Sequence, residues 1–154
     1  MTDNPFSALS AIVAPAILTN ACAIMQNGAT LRYNLAITQW REFRASLAAR
    51  DARLGELFMD ADAAIALAER RVRLQLSGLG LLNVAVAVFS ATTIGGLAGA
   101  FLVQLGLMPA AAVIVVMVAA GGIALLSMLV ATALFFGESA CGRALMRLHR
   151  PPGG

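Results

Sequence analysis

The sequence contains no lysine, and charged residues of either sign are few. Charged side chains make up 12% of the 154 residues, whereas 60% are hydrophobic. A water-soluble domain of this size must cover its core with polar side chains, so this composition excludes an ordinary soluble fold. Lipid is the solvent that suits such a chain. The sequence therefore predicts an integral membrane protein.

Residues typical of reactive or metal-binding sites are also scarce. Cys22 and Cys141 are far apart in the sequence, which argues against a metal-ligand pair and against a disulfide framework. His149 has no partner residues for catalysis near it. The sequence shows no glycine-rich phosphate loop, zinc-ligand spacing or nucleophile elbow. We therefore expect no catalytic residue, no metal site and no cofactor, and a protein that is not an enzyme.

The positive net charge of +3 comes from arginine alone. Eight of the eleven arginines lie in residues 30–75, and the other three lie in residues 143–150. Both groups adjoin apolar runs, an arrangement that indicates membrane topology and gives no reason to expect a nucleic-acid partner.

Three apolar runs predict three transmembrane helices. The first, residues 8–27, supplies the roughly 20 residues that a hydrocarbon core of about 30 Å requires, and Pro15 predicts a kink in it. The second extends from about residue 79 to 107. The third extends from Pro109, suited to a first helical position, to about Gly137. The short connection predicts a tight hairpin of the second and third spans.

A cleaved signal peptide is the alternative for the first run, because Ala21-Cys22-Ala23 resembles a processing site. Residues 1–5 carry no basic side chain, whereas a signal peptide begins with positive charge. Thr19 stands where a lipoprotein signal would have leucine, three positions before Cys22. We therefore expect the first run to remain as a membrane helix.

The polar section that follows has helical periodicity. Two stripes at three- and four-residue spacing predict an antiparallel helical pair that turns near Gly55, continues from the first span and leads into the second. The first stripe consists of Ala36, Trp40, Phe43, Leu47, Leu54 and Leu57, and the second of Phe58, Ala61, Ile65, Ala68 and Val72.

The predicted fold is therefore all-α, with three transmembrane helices and a cytoplasmic helical pair between the first and second. Because arginine favours the cytoplasmic side, we expect a bacterial inner-membrane protein with its N-terminus outside and its C-terminus in the cytoplasm. Its parts are residues 1–29 (N-terminal segment and first span), 30–78 (cytoplasmic helical hairpin), 79–137 (transmembrane hairpin) and 138–154 (cytoplasmic tail).

Asn20 and Asn27 are candidates for helix packing or for lining a pore. They are seven residues apart and share a helix face with Ala16 and Ala23. An amide that bonds across a membrane-helix interface contributes about 0.6 kcal/mol. A water-filled path is the alternative, but such paths usually carry ionisable groups, so packing is the favoured interpretation.

Gly95, Gly99 and Glu138 are further candidates of the same kind. The two glycines have GxxxG spacing and predict a close helix contact, either within the chain or between copies. Glu138 is the only acidic residue that adjoins the third span. It either serves as a functional carboxylate, for protons or a cation, or pairs with Arg143 or an arginine of the helical pair; pairing is favoured.

Four arginines near the membrane edge are candidates for contact with anionic lipid headgroups. They are Arg32, Arg70, Arg71 and Arg73. Nearby carboxylates offset much of the charge of this section, so solvated ion pairs are the simpler interpretation. These are Glu42, Asp51, Glu56, Asp60, Asp62 and Glu69.

The order of several short motifs resembles a bacterial family of small membrane proteins catalogued as domain of unknown function 2721. The resemblance covers about residues 8–143, and it implies the same three-helix layout and no established activity. The motifs are residues 15–21 (PAILTNA), Asn27 followed by Arg32-Tyr33, Arg70-Arg71-Val72-Arg73, and Glu138.

These features predict a membrane scaffold or accessory subunit that contacts lipids and assembles with itself or with a larger membrane complex. The alternative is a small homo-oligomeric ion channel or transporter lined by Asn20, Asn27 and Glu138. Three spans are too few for a pathway within one chain, so the alternative also requires oligomerisation.

Overall fold

The computed structural model describes residues 5–49 and 57–149, with side chains described from residue 13 onward. These residues form three α-helices and no strand: α1, Pro5–Ala48; α2, Ala61–Gln104; and α3, Ala110–Leu148. The prediction of an all-α fold is confirmed. The turn predicted at Gly55 and the stripe residue Leu54 lie outside the described residues.

Helix α1 runs without interruption from the predicted first span into the predicted cytoplasmic section. Pro15 lies inside it and removes one backbone donor, but the helix continues on both sides. The Thr19 hydroxyl donates a hydrogen bond to the Pro15 carbonyl oxygen at 2.9 Å. One α-helix therefore contains both the apolar and the polar parts of this segment.

Helix α2 begins at a capping residue. The Asp60 carboxylate accepts a hydrogen bond from the Ala63 backbone N–H at 2.9 Å, which satisfies one of the free donors of the first turn. Asp62, in that first turn, also suits the positive end of the helix dipole. The helix then crosses the predicted boundary at residue 79 without a break.

The connection between α2 and α3 is a tight turn built on Gly106, which has φ of +70°. The Leu107 N–H bonds to the Leu102 carbonyl and the Gly106 N–H to the Val103 carbonyl, both at 3.0 Å. These two bonds form a Schellman cap, which needs the left-handed conformation that glycine adopts without strain. Helix α3 begins directly after Pro109, one residue later than predicted.

Helices α2 and α3 are each long and apolar enough to cross a membrane. The predicted first span begins at residue 8, and the side chains of residues 8–12 lie outside the described residues. Helix α3 extends beyond Gly137 to Leu148, so residues 138–148, which the sequence assigned to a tail, are helical. Leu145 explains this continuation because it is buried with Phe58 and Ala64.

The chain divides into two compact units. The apolar unit comprises residues 1–27 and 80–130, and the polar unit comprises residues 28–79 and 131–154. Small side chains dominate the buried positions of both units, which lets helices pack closely. Those of the apolar unit include Cys22, Ala85 and Ala124, and those of the polar unit include Ala29, Ala36, Ala64, Ala68 and Ala131.

In the polar unit, the segment before α2 packs against the end of α3. The buried Phe58 ring makes edge-to-face contacts with Phe43 at 5.3 Å and with His149 at 5.4 Å between centroids. The Met59 N–H donates to the Leu148 carbonyl at 3.0 Å. His149, near which the sequence offers no partner residue for catalysis, therefore takes part in this packing.

The predicted stripes are only partly buried. Phe43, Ala61 and Ile65 pack around Phe58 as the sequence indicated. Leu47 and Leu57, in contrast, are exposed. The stripe prediction is wrong at these two residues, which do not pack into the core.

Candidate functional site

The polar unit contains a buried ion pair that joins two of its helices. Glu138 on α3 is only 2% exposed, and its carboxylate accepts a hydrogen bond from Nε of Arg71 on α2. A buried carboxylate without a partner is strongly unfavourable, so this contact satisfies a large electrostatic requirement. The structure thus pairs Glu138 with an arginine of the helical pair, while Arg143 is exposed.

Helix α1 joins the same network through an amide. Nη1 of Arg71 donates a hydrogen bond to Oε1 of Gln39 on α1 at 3.2 Å. Gln39 contacts Arg71 while Phe43, one turn later on α1, contacts Phe58 before α2, so the two helices run antiparallel here. One guanidinium therefore links all three helices of the polar unit.

Of two glycines near the ion pair, Gly78 permits a close contact between α2 and α3, whereas Gly137 has room for a side chain. A Cβ atom at Gly78 would lie 2.6 Å from Cε1 of Phe135, well inside van der Waals contact. A Cβ atom at Gly137 would meet Cδ1 of Leu74 at 3.6 Å, an ordinary contact. The absence of a side chain at Gly78 therefore makes room for the Phe135 ring.

Gln75 lies one turn after Arg71 on the same face of α2. It is fully buried, and neither its amide nitrogen nor its amide oxygen has a hydrogen-bond partner among the described residues. A buried amide of this kind typically destabilises a fold by about 1–3 kcal/mol. The sequence pattern does not reveal this residue, because the two predicted stripes follow apolar positions only.

The four headgroup candidates differ in their surroundings. Arg32, Arg70 and Arg73 are exposed, and Arg73 forms an exposed pair with Glu69 at 2.9 Å. Such pairs contribute about 0.3–0.5 kcal/mol on a helix surface. Arg71 is only 24% exposed, and its guanidinium faces Glu138. Arg71 is therefore part of the internal network, which separates it from the other three arginines.

The glycine motif of the apolar unit faces α3 through a different pair from the one predicted. A Cβ atom at Gly96 would lie 2.5 Å from Cε of Met117, and one at Gly99 would lie 2.5 Å from Cγ1 of Val113. Gly95 is exposed, with open space around a Cβ position. Gly96 and Gly99 thus form the contact, and Gly95 lines an open apolar groove of about 350 Å³.

The predicted amide pair lies on the outer surface of α1. Asn20 and Asn27 are both exposed. An amide contact between helices of the apolar unit is instead made by Gln26, whose Nε2 donates to Oδ1 of Asn83 at 2.6 Å. On the inner side of α1, the buried Sγ of Cys22 lies 3.7 Å from Sδ of Met128.

Within residues 5–49 and 57–149, no group of three or more histidine, cysteine, aspartate or glutamate side chains could hold a metal ion. No family model matches the chain, and comparisons with curated proteins and with solved structures give no significant match. The fold and its sites therefore define a class only: an all-α chain with two helices that could cross a membrane.

Proposed function

We propose that this chain is a non-enzymatic protein of the bacterial inner membrane that serves as a self-assembling scaffold or as an accessory subunit of a membrane complex. The observation that carries the proposal is that the surfaces of its most apolar helices are exposed. The most apolar windows of α2 and α3 are only 22% and 6% buried within the chain. A core helix of a soluble protein would be mostly buried, so these surfaces suit acyl chains.

Three spans are proposed, the first of them within α1. That helix contains residues 8–27 without interruption. Large apolar side chains on its described surface are well exposed, among them Val13, Ile17 and Ile24, as is typical of residues that face lipid or a neighbouring membrane helix. The layout agrees with the resemblance to domain of unknown function 2721, which remains a prediction.

The proposed orientation places the polar unit in the cytoplasm and the N-terminus outside. Its support is the distribution of arginine, with eight in residues 30–75 and three in residues 143–150. In this orientation the exposed Arg32, Arg70 and Arg73 are available to anionic headgroups of the inner leaflet.

The buried network supports a structural role for Glu138. Its carboxylate is occupied by Arg71 and is enclosed by the polar unit, so it holds helices together and faces no aqueous path within this unit. Exposed amides on α1 and the open groove at Gly95 support assembly with other membrane helices. A scaffold or subunit accounts for all of these features.

Reconstitution tests this proposal against the channel alternative. We expect the protein to stay with the membrane after alkaline carbonate extraction, to have an oligomeric mass in nanodiscs, and to leave liposomes tight to small ions. An ion leak that Asn20→Leu with Asn27→Leu abolishes would favour the channel. A carbonate-soluble protein would overturn the membrane assignment, and a strictly monomeric one would overturn self-assembly.

A further inference from the structure

Helix α1 carries a regular stripe of exposed side chains. In the apolar unit this stripe consists of Ile17, Asn20, Ile24 and Asn27, all exposed. In the polar unit the same helix continues with Leu31 and Asn34, also exposed. The spacing alternates between three and four residues throughout.

The stripe has the period of a coiled-coil seam. Its asparagines recur every seven residues, and so do its apolar members, which are 62%, 65% and 68% exposed at Ile17, Ile24 and Leu31. A repeat of 3.5 residues keeps one face of a helix against a partner helix over several turns. The stripe therefore has the form of an interface in which apolar and amide layers alternate.

A second seven-residue repeat on α1 is buried, in contrast to the Ile/Asn stripe. Cys22, Ala29 and Ala36 are spaced by seven residues and are all buried within their units. The Ile/Asn stripe lies on the opposite side of α1 and is exposed within both units. One repeat of the helix is thus covered by the chain itself, and the other is open.

Lipid alone is a poor cover for the membrane part of the open stripe. Acyl chains offer no hydrogen-bond partner, and an amide in hydrocarbon without one is unfavourable. Asparagine and glutamine side chains within membrane helices accordingly hydrogen-bond across helix interfaces. Asn20 lies inside the proposed first span and Asn27 at its end, so a protein partner suits both side chains and is most needed by Asn20.

We propose that the Ile/Asn stripe of α1 is the contact surface for a second copy of this chain, paired parallel and in register. An asparagine amide both donates and accepts hydrogen bonds, so the same residue on a second copy satisfies it. Copies inserted in one membrane with one orientation have parallel α1 helices at equal depth. A twofold axis along the membrane normal then places each asparagine opposite its counterpart.

The membrane also removes the main competing register. A slip by one heptad would again align amides, because the repeat is seven residues. It would, however, displace one copy by about 10 Å along the helix axis, a third of the hydrocarbon thickness of about 30 Å. The proposal rests on the membrane insertion and self-assembly proposed above, and it names the surface and the partner.

Disulfide cross-linking in native membranes tests the seam. In a Cys22→Ala, Cys141→Ala background, we expect Asn20→Cys, Asn27→Cys and Asn34→Cys each to form a covalent dimer under mild oxidation, several-fold faster than the controls. Positions at the centre of a parallel seam bring Cα atoms within the roughly 4.4–6.8 Å that a disulfide requires.

The matched controls are Ala14→Cys and Arg32→Cys. Both residues are exposed on α1, but they lie about 120° or more around the helix from the asparagines. Circular dichroism checks each variant for helicity, and Ile24→Cys, on the same stripe, replaces any variant that does not fold.

The outcomes separate the seam from self-assembly in general. Rapid dimer formation at the stripe and not at the controls supports the proposal. Equal cross-linking at stripe and controls, or none at the stripe while the nanodisc mass is oligomeric, overturns the seam and leaves self-assembly standing. A monomeric mass overturns both.

Discussion

The ion pair of Arg71 and Glu138 is the interaction whose loss we expect to destabilise the three helices of the polar unit most. Removing the guanidinium alone leaves a buried carboxylate without its cation, and such losses typically destabilise a protein by about 3–5 kcal/mol. We expect Arg71→Leu to lower the free energy of unfolding by that amount in detergent denaturation. The double variant Arg71→Leu, Glu138→Leu should recover most of the loss, because no charge is then left buried.

Two variants nearby serve as comparisons for this cycle. Arg73→Leu removes an exposed pair with Glu69 and should change stability by no more than about 0.5 kcal/mol. Gln75→Leu removes a buried amide that has no partner among the described residues and should raise stability. If Arg71→Leu were as mild as Arg73→Leu, the buried pair would not hold the helices.

The residues of this network differ in how far sequence could identify them. Glu138 was conspicuous as the only carboxylate next to the third span, and an arginine partner was expected from charge alone. Gln39 and Gln75 were not identified, because a polar residue within a polar section gives no signal of burial. For Gln75, the signal is the register of the buried face of α2, which passes through Arg71 and Gln75.

At the scale of the element, the buried face of α2 is one repeat of alternating three- and four-residue spacing. It runs through Ala64, Ala68, Arg71, Gln75, Gly78, Leu82, Ala85, Phe89, Thr92, Gly96 and Gly99, and all but the half-buried Arg71 are buried. The helical state of α2 and its approximate extent could be predicted from the sequence, but its buried face could not. Hydropathy assigns the exposed Leu and Ile to the core and overlooks glycine, alanine and buried polar groups.

Gly99→Ala and Gly95→Ala form a matched pair that tests which glycine packs. At Gly99 the new methyl would meet the stiff Val113 side chain, so we expect a loss of about 1–3 kcal/mol in unfolding free energy. At Gly95 the space is open, and alanine should stabilise the helix by up to about 1 kcal/mol.

Val113→Ala should relieve much of the loss in Gly99→Ala, because it removes the branched methyl that the new group meets. Equal effects at Gly95 and Gly99 would contradict the assignment of Gly99 to the contact with α3.

At the scale of the whole molecule, the proposed orientation in the membrane depends on which segments carry the arginines. Leu107 lies exposed in the α2–α3 connection, and Arg44 lies exposed on the polar part of α1. In a Cys22→Ala, Cys141→Ala background, Leu107→Cys should react with a membrane-impermeant thiol reagent in intact spheroplasts. Arg44→Cys should react only after the membrane is opened, because arginine-rich segments stay in the cytoplasm.

The reverse labelling pattern would invert the proposed orientation. Labelling of both positions from the same side would show that α2 does not cross the bilayer, and the hairpin of spans would then have to be abandoned.

The continuity of α1 has a consequence for its backbone. The helix has 44 residues, about 66 Å of chain at ~1.5 Å per residue, and no break where apolar sequence gives way to polar sequence. An α-helix satisfies its own backbone N–H and C=O groups in water and in hydrocarbon alike. No solvated loop is therefore needed where α1 changes from one character to the other.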